Sequence, residues 1–180
     1  SLRYPLCHLD FETFDTPLPP FDGVRPYQKI PFQYSLHIQQ EAGAEPEHFE
    51  YLAPPSVDPR RELAEQLLAT IPADACVLTY NQSFEKGVLR DLAALFPDLA
   101  EAIEARLANV RDLMVPFKKR HLYCWQMRGS YSIKEVLPAL VPDLSYEGLS
   151  IAEGGMAVLA YHEMCQTDDL VRLADIRSGL

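Results

Sequence analysis

The fold is decided by the stretch YPLCHLDFETF, residues 4–14. Its apolar run is typical of a buried strand, yet Asp10 and Glu12 stand in its middle. Side chains at i and i+2 of a strand share one face, about 6.5 Å apart, so the two carboxylates are expected side by side. Bare carboxylates at that separation repel, whereas Mg²⁺ accepts oxygen ligands from both. The alternative is two ordinary polar residues at a solvated strand end, and a D-x-E triplet alone does not decide between them.

The composition indicates one globular domain with a reduced, cytoplasmic location. The chain has 180 residues, 48% of them hydrophobic, and lacks both a membrane-length apolar run and a secretory signal pattern. Its four cysteines are scattered without a CxxC pair, which argues against zinc and against disulfides. The net charge of −10 excludes a broad basic face for duplex DNA. A narrow site that grips a short strand through metal ions remains open, because bound cations supply local positive charge.

Hydrophobic patterning predicts an α/β fold, with a mixed sheet flanked by helices. The first three strands should form an antiparallel meander, and a helical crossover should place the fourth parallel to the first. The proline-rich loop at residues 15–31 is too long for a hairpin turn and is either functional or a rigid connection. Strands are expected at 4–13, 32–39, 47–53 and 75–81; helices at 59–71 (with Asp58 as cap), 83–96, 97–110, 130–141, 154–165 and from about 167 to 180; 111–127 should be irregular.

A second group of polar residues follows the fourth predicted strand, in the sequence YNQSFEKGVLRDL. The strand should bring Asn81 to its carboxyl end, beside the first strand. Ser83 is a possible helix cap, so that Glu85 lies in the first turn, where the helix dipole favours an anion. Glu85 would then face Asp10 and Glu12, although glutamate is common in first turns for helix-forming reasons alone.

Together, LDFET (9–13) and NQSFE (81–85) resemble two motifs of the DEDD exonucleases in the ribonuclease H-like superfamily. Those enzymes carry D-x-E on the first strand and N-x-x-(F/Y)-D after the fourth; here Glu85 stands in place of the aspartate. More of the chain resembles the bacterial domain-of-unknown-function family 2779 (DUF2779), in which glutamate is usual there. The stretches that carry this resemblance are DFETF, FDGVRPYQKIPFQYSLH, YNQSFEKGVL and GSYSIKEVLPALVPDLSYEGLSI.

The resemblance implies a ribonuclease H-like fold and phosphodiester hydrolysis with two Mg²⁺ or Mn²⁺ ions. It implies that Asp10 bridges both ions, that Glu12 holds the water-activating ion, and that Glu85 holds the other. A third acidic motif, Y-C-x-x-D, is absent and is expected past Leu180, so that residues 1–180 form one domain of a larger protein, truncated at its C-terminus. His162 and Asp168 imitate such a motif, but one extra residue between them rotates the acid by about 100° on a helix.

The expected substrate is a single-stranded DNA or RNA end, and further partners are other domains of the same polypeptide. Arg25 could bind a phosphate and Tyr27 could stack on a base, while Asn81 lies beside the acids. Ser132 and Lys134 could hold a phosphate at a helix start, or be an ordinary cap and a solvated lysine. The alternative function is a non-catalytic ribonuclease H-like binding module of a nucleic-acid-processing protein. A carboxylate-pair glycosidase has no supporting feature.

Overall fold

The protein is a five-stranded mixed sheet flanked by helices, with strand order β3-β2-β1-β4-β5. The computed structural model describes residues 2–144, 154–167 and 169–180. The strands are β1 (Leu6–Phe14), β2 (Ile30–Gln39), β3 (Glu47–Leu52), β4 (Cys76–Thr79) and β5 (Val110–Asp112). The helices are α1 (Arg60–Thr70), α2 (Ser83–Leu95), α3 (Ala100–Ala108), α4 (Val115–Lys118), α5 (Ile133–Leu140), α6 (Gly154–Gln166) and α7 (Leu170–Gly179).

The predicted sheet topology is confirmed. Strands β1, β2 and β3 form the antiparallel meander, and β4 pairs parallel to β1. The carboxyl ends of β1, β4 and β5 therefore point to one edge of the sheet. This edge is where a polar residue placed after a strand meets residues from its neighbours.

Strand β5 was not predicted. The helix expected at 97–110 ends at Ala108, and Val110 belongs to a strand that pairs parallel with β4. The segment expected to be irregular, 111–127, accordingly contains the end of β5, helix α4 and a 3₁₀ turn at Trp125–Met127. A three-residue strand is too short to show an alternating pattern, so its pairing with β4 could be recognised only in the fold.

Other predicted elements agree within a few residues. Helix α1 begins at Arg60 rather than Pro59, while the Asp58 carboxylate still accepts the Arg60 backbone N–H at 3.1 Å. The last helix begins at Leu170 and not near 167, and the Asp169 side chain caps it. The connection PDLSYEGLSI and residue Asp168 fall wholly or partly outside the described residues. No described helix has the length and apolar character needed to cross a bilayer.

The main core lies between one sheet face and the helices, which leaves the other face open around Asp10. Inward residues such as Leu9, Phe11 and Phe32 pack against α1, α2, α3 and α6. On the opposite face, the described buried apolar residues are the small cluster Leu6, Cys76 and Leu78.

The loop between β1 and β2 is fixed to the body of the protein by Arg60. This arginine is buried, is paired with Asp58 at 2.7 Å and donates to the Asp22 carbonyl at 3.1 Å. At the other side of the loop, the Tyr27 N–H donates to the Thr16 carbonyl at 2.9 Å. The loop therefore has a defined position relative to α1 and β1.

Candidate active site

Asp10 and Glu12 lie on the same face of β1, as predicted. The flanking Leu9 and Phe11 are buried in the core, whereas Asp10 is exposed and Glu12 half-buried on the open face. Loss of hydration beside the sheet raises the pKa of Asp10, although its own strand's Phe11 N–H opposes that shift. The pKa of Glu12 is raised by partial burial and then by the charge of Asp10. The two carboxylates therefore interact unfavourably when both are ionised.

Glu85 lies in the first turn of α2, and its charge interacts with that of Asp10. Only 2% of Glu85 is exposed, and burial raises its pKa to about 7. The charges of Asp10 and Asp112 raise it further, while its own backbone N–H has the opposite effect. The carboxylates of Asp10, Glu12 and Glu85 thus form one electrostatically coupled group, which we call the acid cluster.

The acid cluster includes a buried oxygen without a hydrogen-bond partner. Three buried side-chain atoms of the described residues lack a partner, namely Arg60 Nη1, Thr79 Oγ1 and Glu85 Oε2. Two of the three lie where β4 passes into α2. Buried polar atoms are almost always hydrogen-bonded, so unsatisfied ones indicate a group that the bare chain does not supply.

Asp112 is a fourth acid at this edge, and sequence reasoning missed it. Its Oδ1 accepts the backbone N–H of Asn81 at 3.0 Å and that of Met114 at 2.9 Å. Asn81 has φ +72°, a left-handed conformation that asparagine tolerates better than most residues. The Asn81 side chain accepts from the Ser83 hydroxyl at 2.6 Å. Asp112 thereby holds the junction that positions Glu85, a role that an aspartate after a recognised fifth strand would have signalled.

We expect Asp112→Ala to lower the free energy of unfolding by about 2–3 kcal/mol, because two backbone N–H groups lose a charged acceptor. Urea denaturation followed by circular dichroism measures this loss. Asp74→Ala, at an exposed turn residue, is the matched control and should change stability little. Equal losses in the two variants would contradict the role given to Asp112.

A cleft of about 360 Å³ opens beside the acid cluster on the exposed sheet face. Asp10 lines it together with His8, Ser35 and His37. The His37 ring stacks on His48 at 4.3 Å between centroids, so that histidines from three neighbouring strands form a row. Burial and then the adjacent histidine lower the pKa of both His8 and His37. The sequence signal for His8 was its two-residue spacing from Asp10, which puts both on one face.

Arg25 and Tyr27 meet α2 rather than the cleft. They line a depression of about 280 Å³ with Lys29, Phe84 and Gly87. Tyr27 is largely exposed and has φ +58°. The Lys29 ammonium lies 4.5 Å from the centre of the Phe84 ring, next to Glu85 in the chain. The predicted loop residues are therefore on the α2 side of the acid cluster.

Ser132 and Lys134 begin α5, near the end of β4. The Ser132 side chain forms no capping bond, and its N–H donates to the Ser130 hydroxyl at 3.1 Å. Ser132 and Asn81 line the same depression. His162, by contrast, packs its ring against Phe14 at 5.9 Å, and its supposed partner Asp168 lies outside the described residues.

The acid cluster suits Mg²⁺ or Mn²⁺ in ligand chemistry, since its donors are carboxylate oxygens and one of them is buried and unpaired. Within residues 2–144, 154–167 and 169–180, however, no three acids, histidines or cysteines are close enough to hold a metal ion together. This chain would therefore supply part of a coordination shell.

Comparison with known proteins identifies the family but no characterised relative. The chain matches no curated protein and no solved structure. The family described as Domain of unknown function (DUF2779) matches residues 7–132, more than two thirds of the chain. The matched range includes Asp10, Glu12, Glu85 and Asp112, and it ends where α5 begins. This chain therefore belongs to the DUF2779 family.

Proposed function

We propose that this domain is a metal-dependent 3′–5′ exonuclease that hydrolyses phosphodiester bonds at single-stranded nucleic-acid ends. The observation that carries the proposal is Glu85, whose buried, unpaired carboxylate is raised to a pKa of about 7 beside Asp10. Among the described ion pairs, none neutralises an acid of the cluster. A cation from solution is the partner that would relieve this repulsion.

The sheet supports the same proposal. A ribonuclease H-like domain is expected to have an antiparallel meander followed by a parallel fourth strand beside the first, and β1 to β4 have that arrangement. In such a sheet the first acidic motif and the residues after β4 share one edge. The resemblance of LDFET and NQSFE to DEDD motifs is thus accompanied by a suitable placement of the strands.

The chain's own residues have distinct roles in the proposed reaction. Asp10 and Glu12 present oxygens on the open sheet face, where a strand end can enter from solvent. Glu85 gives up its proton when positive charge arrives, and Asp112 holds the Asn81 junction in place. Divalent cations bound there would stabilise the phosphoryl oxygens and supply activated water.

One observation favours a second function, a non-catalytic nucleic-acid-binding module: no described group of three ligands converges on one point. Incubation of a 5′-labelled oligonucleotide with Mn²⁺ or with EDTA separates the two. The exonuclease should produce a ladder of shortened products only with Mn²⁺. Equal binding under both conditions without shortening, in a polypeptide extended past Leu180, would favour the binding module instead.

Gly87 provides a further test, because it leaves space beside Arg25 and Tyr27. Nothing lies within 4 Å of a Cβ built on it, so packing does not require glycine there. Glycine inside a helix costs about 1 kcal/mol relative to alanine. We expect Gly87→Ala to stabilise the fold by about that amount and to weaken oligonucleotide binding, because the added methyl group occupies the space left for substrate.

Gly155→Ala is the matched control, since Gly155 is also helical and also has open space around its Cβ. It should stabilise the protein similarly without affecting binding. Thermal unfolding and fluorescence anisotropy of a labelled oligonucleotide measure the two effects. Unchanged affinity in Gly87→Ala would remove this depression from the proposed substrate site.

A further inference from the structure

Residues 113–134, which we call the basic–aromatic segment, differ in charge from the rest of the chain. They contain no acid and five cations, Lys118, Lys119, Arg120, Arg128 and Lys134. Subtracting this +5 from the net charge of −10 leaves −15 for the remaining residues. A local positive field in so acidic a protein attracts polyanions to one place on its surface.

Exposed aromatic rings lie among these cations. Trp125 is 78% exposed, and Tyr123 and Tyr131 are each about half exposed. The ammonium of Lys118 lies 6.0 Å from the centre of the Tyr131 ring. Cations alternating with open aromatic faces are what proteins use to bind single strands, since phosphates pair with the cations and bases stack on the rings.

The basic–aromatic segment is held in a defined shape. Met127 is buried beneath it, and backbone bonds from Met127 to Cys124 and from Arg128 to Trp125 close the 3₁₀ turn. Arg120 and Arg128 both have left-handed φ values, 57° and 51°, within tight turns. Among the described residues, no acid pairs with the side chains of Lys119, Arg120 or Arg128. These charges are available to a ligand.

A continuous path joins the basic–aromatic segment to the acid cluster. The cleft that contains Asp10 is also lined by Tyr80 and Ile133. The same two residues line the neighbouring depression, which continues to Tyr131. The Tyr80 hydroxyl donates to the Tyr131 carbonyl at 2.6 Å, which ties the segment to the end of β4.

We propose that the basic–aromatic segment binds the single strand that leads away from the acid cluster, with a base stacked on Trp125 and phosphates on Lys118, Lys119 and Arg120. The inference rests on the nucleic-acid substrate of the proposed function, but not on hydrolysis. Binding by this segment would also explain how an acidic protein holds a polyanion.

The fluorescence of Trp125 tests the stacking directly, because it is the only tryptophan in the chain. An oligothymidylate of about twelve nucleotides, within the usual range of site sizes, is titrated in EDTA and low salt. Stacking should quench the emission. With a labelled oligonucleotide, Trp125→Ala should bind about 5–100-fold more weakly, whereas Trp125→Phe keeps most of the affinity. Unquenched emission at saturation would overturn the stacking contact.

The salt dependence of binding tests the phosphate contacts. Replacing Lys118, Lys119 and Arg120 by alanine should reduce the slope of log K against log salt by about 2, since each contact on a single strand contributes about 0.7. The control replaces three exposed arginines on α1 and α7, Arg61, Arg172 and Arg177, by alanine, and should leave the slope unchanged. Circular dichroism verifies that both triple variants are folded.

The outcomes separate this inference from the proposed hydrolysis. A wild-type slope in the basic triple variant, or no binding at low salt, overturns the inference even if Mn²⁺-dependent trimming is observed. A reduced slope together with quenching supports the inference even if the protein never shortens the oligonucleotide. In that second case only the exonuclease proposal fails.

Discussion

Asp10→Asn should abolish Mn²⁺-dependent trimming of a single-stranded oligonucleotide, with a loss of at least about 1,000-fold. Asp10 is the residue whose charge acts on both Glu12 and Glu85. Without it, the other two carboxylates have no common partner at which a cation could be shared. Metal ions contribute several kcal/mol to such reactions, and each 1.36 kcal/mol is a factor of ten in rate. The loss is measured from single-turnover rates on a 5′-labelled strand, in a polypeptide extended past Leu180.

Asp15→Asn is the matched control, because Asp15 is an exposed aspartate of the same stretch just beyond the end of β1. It should trim at the wild-type rate. Oligonucleotide binding in EDTA should be similar in both variants, since the asparagine leaves the basic–aromatic segment intact. If Asp10→Asn trims as fast as Asp15→Asn, the acid cluster is not the site of hydrolysis.

Glu85→Gln should stabilise the metal-free protein at pH 8 by about 3 kcal/mol. The pKa of Glu85 is about 7 in the folded protein, against 4.5 for a freely solvated glutamate, so the folded state holds the proton more tightly between those values. The contribution of this proton to stability is therefore fully present below pH 4.5. It is lost as the pH rises through 7, at about 1.36 kcal/mol for each pH unit between the two pKa values. Glutamine has no proton to lose and avoids this loss.

Chemical denaturation in EDTA at pH 4.5 and pH 8 measures the effect, which should be near zero at the lower pH. Glu104→Gln, on the exposed face of α3, is the control and should change stability little at either pH. The same Glu85→Gln variant should lose trimming activity. A variant that is less stable than wild type at pH 8 would show that another group of the protein compensates the buried carboxylate.

The sheet was predictable because its strands have distinct local patterns. Residues 4–14 alternate buried and polar positions, and the spacing of Asp10 and Glu12 alone places both on one face. Glu85 was predictable from the strand-to-helix junction that precedes it. These inferences depend on periodicity over several residues, which a single sequence displays directly.

Strand β5 and Asp112 were not predictable in the same way. The strand has three residues, and its register is fixed by pairing with β4, a contact distant in sequence. The coupling of Asp112 to Asn81 joins residues 31 positions apart through one hydrogen bond. The depression beside Gly87 likewise depends on how the loop folds against α2. Such features arise from tertiary contacts, which local propensity does not encode.

The buried Arg60 determines when the ordering cost of the substrate loop is met. Because Arg60 and the Thr16–Tyr27 bond hold the loop in the free protein, its conformational entropy is lost during folding. A ligand arriving at Arg25 or Tyr27 then encounters a preformed surface, and little of its interaction energy is spent on immobilising the chain. Association should accordingly resemble rigid docking more than coupled folding and binding.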